Sequence, residues 1–391
     1  MTRTSSCHLL DMLATLPDPR KQKGKRHPLR SILGLIVVGL MCGQGSYTAI
    51  AAWARRHPSL TKALGFTHPI SPCAATFHNL LKCLDPVRLE QILTQWVSGV
   101  FQATPELKSR LTAVAIDGKS LRGSGTRDNQ QTHLLAAVSH ELGIPLAECA
   151  VSEKTNEVPV STELLKMFDV AGKVITTDAL LTQRRFCESV IDSHADYLLP
   201  VKANQKQVFD DIKDLFQPFS ETDPQAIEER RFQTLHTQAD AHLDEHTTQE
   251  KKRGILTTRT LRASTLLNEH LNWPGLAQVY EYQTHRKHLA TGEITHHTQY
   301  GITSLTSEKA TAKDLLTLRR GHWTIENKLH WTRDVVFRED ASQVRTPAIP
   351  QIMAALRNTV LSVFRFNGYT KITQTLRCFA EKPKLAVKLI Q

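Results

Sequence analysis

From Leu111 to Phe216 short apolar segments follow one another in an order that constrains the fold more than any other feature of this 391-residue chain. Leu111–Ile116, His133–Val138 and Ile144–Val151 are β-rich runs spaced as an antiparallel meander. Ser161–Phe168 has helical spacing, Lys173–Thr177 reads as a fourth strand, Thr182–Ile191 as a helix, Ala195–Val201 as a fifth strand, and Gln205–Phe216 as a helix. Such an order predicts an α/β (α+β) fold with helices against a mixed sheet. Residues 1–105 are different in pattern. Apolar residues recur at helical spacing in Ile32–Met41, Tyr47–Trp53, Phe77–Leu84 and Leu89–Val97, with turn signals at Gly43-Gln-Gly45, His57-Pro58, Ser71-Pro72 and Asp85-Pro86. The expected division is a helical N-terminal domain, 1–105, and an α/β domain, 106–391. From about 220 to 305 the second domain is interrupted by a polar, Thr-rich, strand-leaning insertion (Ile255–Leu261, Ala277–Tyr282, Thr298–Ile302), and helical spacing resumes at Ala312 and runs past Glu326.

Lys and Arg exceed Asp and Glu by 49 to 38, a formal charge of +11. A surplus of that size favours a polyanionic partner, nucleic acid first. The segment Pro19–His27, with Lys21, Lys23, Lys25 and Arg26, has little to bury; it is either a solvated arm or one that grips phosphates. The seven cysteines are dispersed without a C-x-x-C pair, which speaks against a thiolate zinc site and for reduced thiols in a cytoplasm. The N-terminus lacks the apolar core of a signal peptide, and the longest apolar run, Ile32–Cys42, contains two glycines and is too short to span a bilayer. No membrane segment is expected, and the run reads as a buried helix.

Three acids stand where chemistry on a phosphodiester needs them. Cleavage in line requires charge stabilisation on both the attacking and the leaving oxygen, which carboxylate-held divalent metals supply. Asp117 follows the apolar strand Leu111–Ile116; its Asp-Gly pair also suits a turn. Asp178 follows the strand Lys173–Thr177, where it also suits a helix N-cap. Glu326 lies among Arg319, His322, His330 and Arg333, whose spacings of three, four, four and three place all five on one helical face. Leu315, Leu318, Ile325, Leu329 and Val336 form a separate apolar stripe. That polar face can hold metal and contact phosphates, or it is a solvated, salt-bridged surface. Lys119 and Arg122 carry the same two readings, and Trp323 and Trp331 either pack or stack on an unpaired base.

Longer motifs run through these positions: Ala115–Lys119 with Leu121-Arg-Gly123, Glu153–Pro159, Thr177-Asp-Ala-Leu180 with Gln183, Tyr197–Lys202 with Asn204-Gln205, Gly321–Asn327 with Leu329-His-Trp331, and Phe337–Ser342. In this order they resemble the DDE transposases of bacterial insertion sequences, specifically the H-repeat-associated group. Leu16–Arg20 and Ser46–Ile50 are similar to that family's associated N-terminal domain, and the likeness runs from about residue 9 to 365. The resemblance implies a ribonuclease-H-like catalytic domain, whose element order the 111–216 region shares. It implies two Mg2+ ions, with Mn2+ able to substitute, on Asp117, Asp178 and Glu326. Further implications are DNA strand cleavage at element ends and 3′-hydroxyl strand transfer, with terminal inverted repeats and target DNA as partners. A homodimer in the DNA complex and a bacterial nucleoid location complete the expectation. The expected DNA contacts are Lys119, Arg122, Lys202, Arg319, His322, His330, Arg333 and the four cations of the basic segment. Related transposases carry Tyr, Arg and Lys around the Glu; those spacings fall here on Arg319, His322 and Arg333, the first two different in type. Leu181 stands where the family has His, and Thr257 where it has an acid. The alternative reading is a member that binds DNA and no longer cuts it.

Overall fold

A computed structural model describes residues 8–125, 130–151, 157–216 and 243–391. The chain is a mixed α/β protein with a helical N-terminal region. Its two compact units cut the chain differently from the division at residue 105. One holds residues up to Thr112, Ile116–Asp169 and Thr324–Gln391, and the other holds Ala113–Ala115 and Val170–Trp323. The reason is visible in the Ala348–Phe366 helix, buried from Ile349 to Phe364. A helix buried all round needs cover all round, and the helices Leu29–Met41, Ala74–Cys83 and Pro86–Ala103 provide it.

In the first unit, Leu29–Met41 is the buried helix that its composition implied, with only Arg30 exposed. Its glycines admit neighbours: a Cβ on Gly39 would stand 2.8 Å from Ile50, and one on Gly34 2.6 Å from Leu10. Ser46 and Asp85 cap the next helices by accepting from Ala49, and from Val87 and Arg88. The basic segment folds back on itself. Arg20 donates to Asp18 at 2.9 Å and to the His27 carbonyl at 2.8 Å, and Gln22–Gly24 forms a 3-10 turn. Strand β1 (Ala113–Ser120) is shared between the units. In the first unit β2 (His133–Ser139) lies beside it and pairs antiparallel with β3 (Pro145–Val151). Among the described residues no helix is long and apolar enough to cross a membrane.

In the second unit, Ala113–Ala115 of β1 pair parallel with β4 (Val174–Thr176), and β4 pairs parallel with β5 (Asp196–Val201). The insertion supplies β6 (Leu243–Lys252), β7 (Ile255–Ser264), β8 (Gln278–His288) and β9 (Ile294–Thr303), an antiparallel meander joined to β5 through β9. Arg253 and Gly254, at φ +49° and +75°, make the two-residue turn between β6 and β7. Leu198, Leu261, Tyr280, Leu305 and Leu315 form the core under the Ala312–Gly321 helix. Residues 217–242 of the insertion and 153–156 of the Glu153–Pro159 motif lie outside the described residues.

Candidate active site

Asp117 sits inside β1, which runs on to Ser120. The Asp-Gly pair is therefore not a turn. Gly118 is required for another reason: a Cβ there would stand 2.4 Å from the Glu157 carboxylate and 2.8 Å from the His133 ring. The Asp117 Oδ1 accepts from the Gly118 N–H at 2.9 Å, and Oδ2 lies 3.6 Å from the His330 Nδ1. The same nitrogen is 3.3 Å from the Glu326 Oε2. Asp117, Glu326 and His330 thus offer ligand atoms all within 4.8 Å of one another. Glu326 is exposed while His330 is buried beneath the two acids, and the His330 Nε2 has no hydrogen-bond partner among the described residues. Two carboxylates and an imidazole within bonding reach suit a divalent cation, since hard cations take the oxygens and borderline ones also take the nitrogen.

The segment that carries Glu326 is not a plain α-helix. Ala312–Gly321 is α-helical, whereas Ile325–His330 and Thr332–Val336 are π-helical, with the Trp331 and Phe337 amides bonded five residues back to Glu326 and Thr332. Each such turn closes one residue late and rotates the residues after it, a distortion frequent at functional sites. The five-residue polar face expected from α-spacing is broken up accordingly. Arg333 is fully buried, and its expected phosphate contact is corrected: the guanidinium pairs with Glu148 and, at 2.7 Å, with Glu339. Arg357 completes the cluster at 2.9 Å from Glu339. Burial alone would raise Glu339, but Arg333 and Arg357 outweigh it and hold the carboxyl below its usual range. His330 likewise serves the two acids rather than a surface.

Two other cations are tied to the same region. Lys119 reaches Asp334 at 2.5 Å and is mostly covered. Arg122 is 77% exposed and 3.6 Å from Asp340, so it remains open to an anion. A Cβ on Gly123 would overlap the Ser342 carbonyl, which explains why the Leu121–Gly123 and Phe337–Ser342 motifs occur together. Sequence reasoning missed Glu148, Asp334, Glu339 and Arg357 as partners. The available signals were a single acid within the apolar run Pro145–Val151 and a single Arg within Ile349–Phe364, the buried stretch of the Ala348–Phe366 helix.

In the second unit Asp178 is exposed just past β4 and caps the 3-10 turn Ala179–Leu181 by accepting from the Leu180 N–H at 3.1 Å. Asn204 donates to the Ala179 carbonyl and Gln205 to the Thr182 carbonyl, so the Thr177–Leu180 and Asn204-Gln205 motifs hold each other. Lys202 is exposed at the end of β5. The His322 Nδ1 lies 3.1 Å from the Thr176 Oγ1. Arg319 donates to Gln299 at 2.7 Å and lies over the Tyr282 ring at 6.0 Å. Leu181 is fully buried, and Thr257 nearly so.

A helical N-terminal region followed by a mixed sheet with flanking helices suits a ribonuclease-H-like fold. Comparison with known proteins makes the assignment specific. Residues 108–363 match the family model "Transposase DDE domain", and residues 10–97 match "DDE_Tnp_1-associated". The chain belongs to the DDE transposase family. It is 28% identical over 365 residues to "Putative transposase YncI" of Escherichia coli O157:H7, covering 91% of this chain and 87% of the relative. It is 26% identical over 367 residues to "H repeat-associated putative transposase YhhI" of Escherichia coli K12, covering 91% and 89%. A piggyBac transposase synaptic complex with hairpin DNA is similar at 10% identity and a TM-score of 0.42, over 97% of this chain and 78% of that one.

Proposed function

We propose that the protein cuts DNA at the ends of its own element and joins the freed 3′-hydroxyl to target DNA, with Asp117, Asp178 and Glu326 as the metal-holding acids. The convergence of Asp117, Glu326 and His330 within 4.8 Å carries this reading. Asp178 enters through its motif Thr177–Leu180, and it lies exposed just past β4 in the second unit. Divalent ions, Mg2+ by preference and Mn2+ in its place, would when bound stabilise charge on the attacking and leaving oxygens.

The chain's own work is positioning and electrostatics. Asp117 and Glu326 supply the anionic oxygens, and His330, buried beneath both, orients them and adds a nitrogen donor. Lys119, held to Asp334, fixes β1 against the Thr332–Val336 turn. Arg122 and Lys202, both exposed, take backbone phosphates, as do Lys21, Lys23 and Arg26 in the folded basic segment. Lys25, 3.9 Å from Asp18, does so more weakly. His322 and Arg319 act on the second unit's side of the reaction, each through the partner named above. Terminal inverted repeats and target DNA are the partners, a homodimer forms on that DNA, and the bacterial nucleoid is the place of action. The buried positions of Leu181 and Thr257 make those two departures matters of packing, which favours an active member over one that only binds.

The test is strand cleavage of a duplex carrying the DNA that flanks the gene. Asp117→Ala, Asp178→Ala and Glu326→Ala should each abolish Mg2+-dependent cleavage while the duplex still binds. Cleavage at the unaltered rate by any of the three removes that acid from the site.

A further inference from the structure

We propose that a groove in the first unit, bordered by Asn327, Trp331 and the start of the Ile372–Glu381 helix, holds an unpaired DNA strand, with the Trp331 indole as the stacking surface for one base. The proposal rests on the reading that the protein acts on DNA, and it names which form of DNA this surface takes.

The groove has a volume of about 440 Å³, within the range of pockets that take a drug-sized ligand, and so has room for a nucleotide. Lys328, Arg365, Lys371 and Arg377 line it, and no carboxylate does among the described residues. Two of these cations are anchored by neutral groups rather than by acids. The Lys328 Nζ donates to the Glu141 carbonyl at 2.9 Å, and Arg365 donates to the carbonyls of Gly143 and Lys328. Burial pushes Arg365 down to about 10, which leaves it a cation at neutral pH. Lys371 and Arg377 have no ion-pair partner among the described residues. The result is a positive wall whose one neighbouring anion, Glu141 beside Lys328, is itself paired with Arg110. Trp331 is 54% exposed on the same groove. An open indole among cations is the arrangement that binds single strands without sequence preference, because every base offers a π-face and every phosphate a charge. A paired duplex keeps its base faces stacked inside, and a ligand that is phosphate alone leaves the indole unused.

The experiment measures binding of a fluorescein-labelled oligothymidylate, and of a duplex of equal length, to the full chain in chelator, where cleavage plays no part. Trp331→Ala should weaken binding of the single strand by about tenfold or more, the contribution of one stacked base, with a much smaller change for the duplex. Trp331→Phe should retain most of the affinity, and both variants should melt as the parent does. Replacing Lys371 and Arg377 together by Ala should reduce the salt slope for the single strand by about 1.4. Unchanged single-strand binding by Trp331→Ala, or an equal loss for strand and duplex, overturns the groove. The two readings fail separately. Trp331-dependent strand binding in a protein that never cuts DNA leaves the groove and removes the cleavage assignment. A cutting protein with indifferent Trp331 variants does the reverse.

Discussion

Within a dozen residues the Thr324–Val336 region carries two charge clusters built in opposite ways. Around Glu326 the cluster is open to solvent, and its two carboxylates share one imidazole. Around Arg333 it is closed: two arginines face Glu148 and Glu339 with all four side chains at 4% exposure or less. Buried charges persist only when balanced and hydrogen-bonded. The Arg333 cluster is balanced in charge by protein groups alone, two arginines against two glutamates, although Glu148 Oε2, Arg333 Nη2 and Arg357 Nε have no hydrogen-bond partner among the described residues. The Glu326 cluster is not balanced, and an acidic excess at a surface is what an external cation is needed to complete. Glu326 and Arg333, close in sequence, thus stand in opposite surroundings, with two π-helical turns across the stretch that carries them.

Substitution puts this contrast to the test at several levels. The largest effect falls on chemistry. Glu326→Ala should reduce single-turnover cleavage by about a thousandfold or more, several kcal/mol of lost transition-state stabilisation, and a residual rate within tenfold of the parent would move the site elsewhere. The next effect falls on stability. Arg333→Met should lower the free energy of unfolding by about 3–5 kcal/mol, since Glu148 would stay buried without its cation and Glu339 would keep only Arg357. Urea denaturation reads this directly, and a loss below about 1 kcal/mol is what a surface pair would give.

A smaller effect separates two buried glutamates by sign. Burial, reinforced by the nearby Glu148, pushes Glu90 up to about 8, while Glu339 is held below its usual range. Glu90 is protonated in the folded chain and ionised in the unfolded one between the ordinary glutamate value of 4.5 and about 8, so it costs stability as pH rises through that window. Glu339 does the opposite: its contribution is present above its unfolded value and is lost as pH falls through its lowered one. Glu90→Gln, which can still pair with Gln351, should flatten the loss between pH 5 and 8 and leave the acid limb unchanged. Melting curves that keep the parent's alkaline decline would contradict this. The smallest effect concerns the basic segment, where replacing Lys21, Lys23, Lys25 and Arg26 should reduce the salt slope of duplex binding by at most about 3–4. An unaltered slope returns the segment to a solvated surface.

Much of the framework was legible in the sequence because periodicity reports burial. The runs that became β1 to β5 and the helices between them follow from apolar spacing, and the apolar run Ile32–Cys42, too short to span a bilayer, could be read as a buried helix. Asp117 and Asp178 were legible as acids at the ends of such runs, although β1 continues past Asp117 to Ser120. The polar face around Glu326 was legible only in part. Spacing presumes 3.6 residues per turn, and π-winding is set by tertiary contacts that spacing does not contain. Arg333 could not be told from a phosphate ligand because one of its partners, Glu148, lies 185 residues away. The cover of the Ala348–Phe366 helix was not legible for the same reason: it comes from helices some 250 to 320 residues earlier.

On the proposed function, the open cluster does chemistry and the closed one holds the fold. Mg2+-dependent cleavage of the flanking-DNA duplex by Glu326→Gln and Arg333→Met, with unfolding followed on the same samples, decides between this division of labour and its absence. The expected result is a Glu326→Gln protein that melts as the parent does and does not cut, and an Arg333→Met protein that melts early and still cuts while folded. A Glu326→Gln protein that cuts at the parent's rate, or a fully stable Arg333→Met protein that cannot cut, would contradict it.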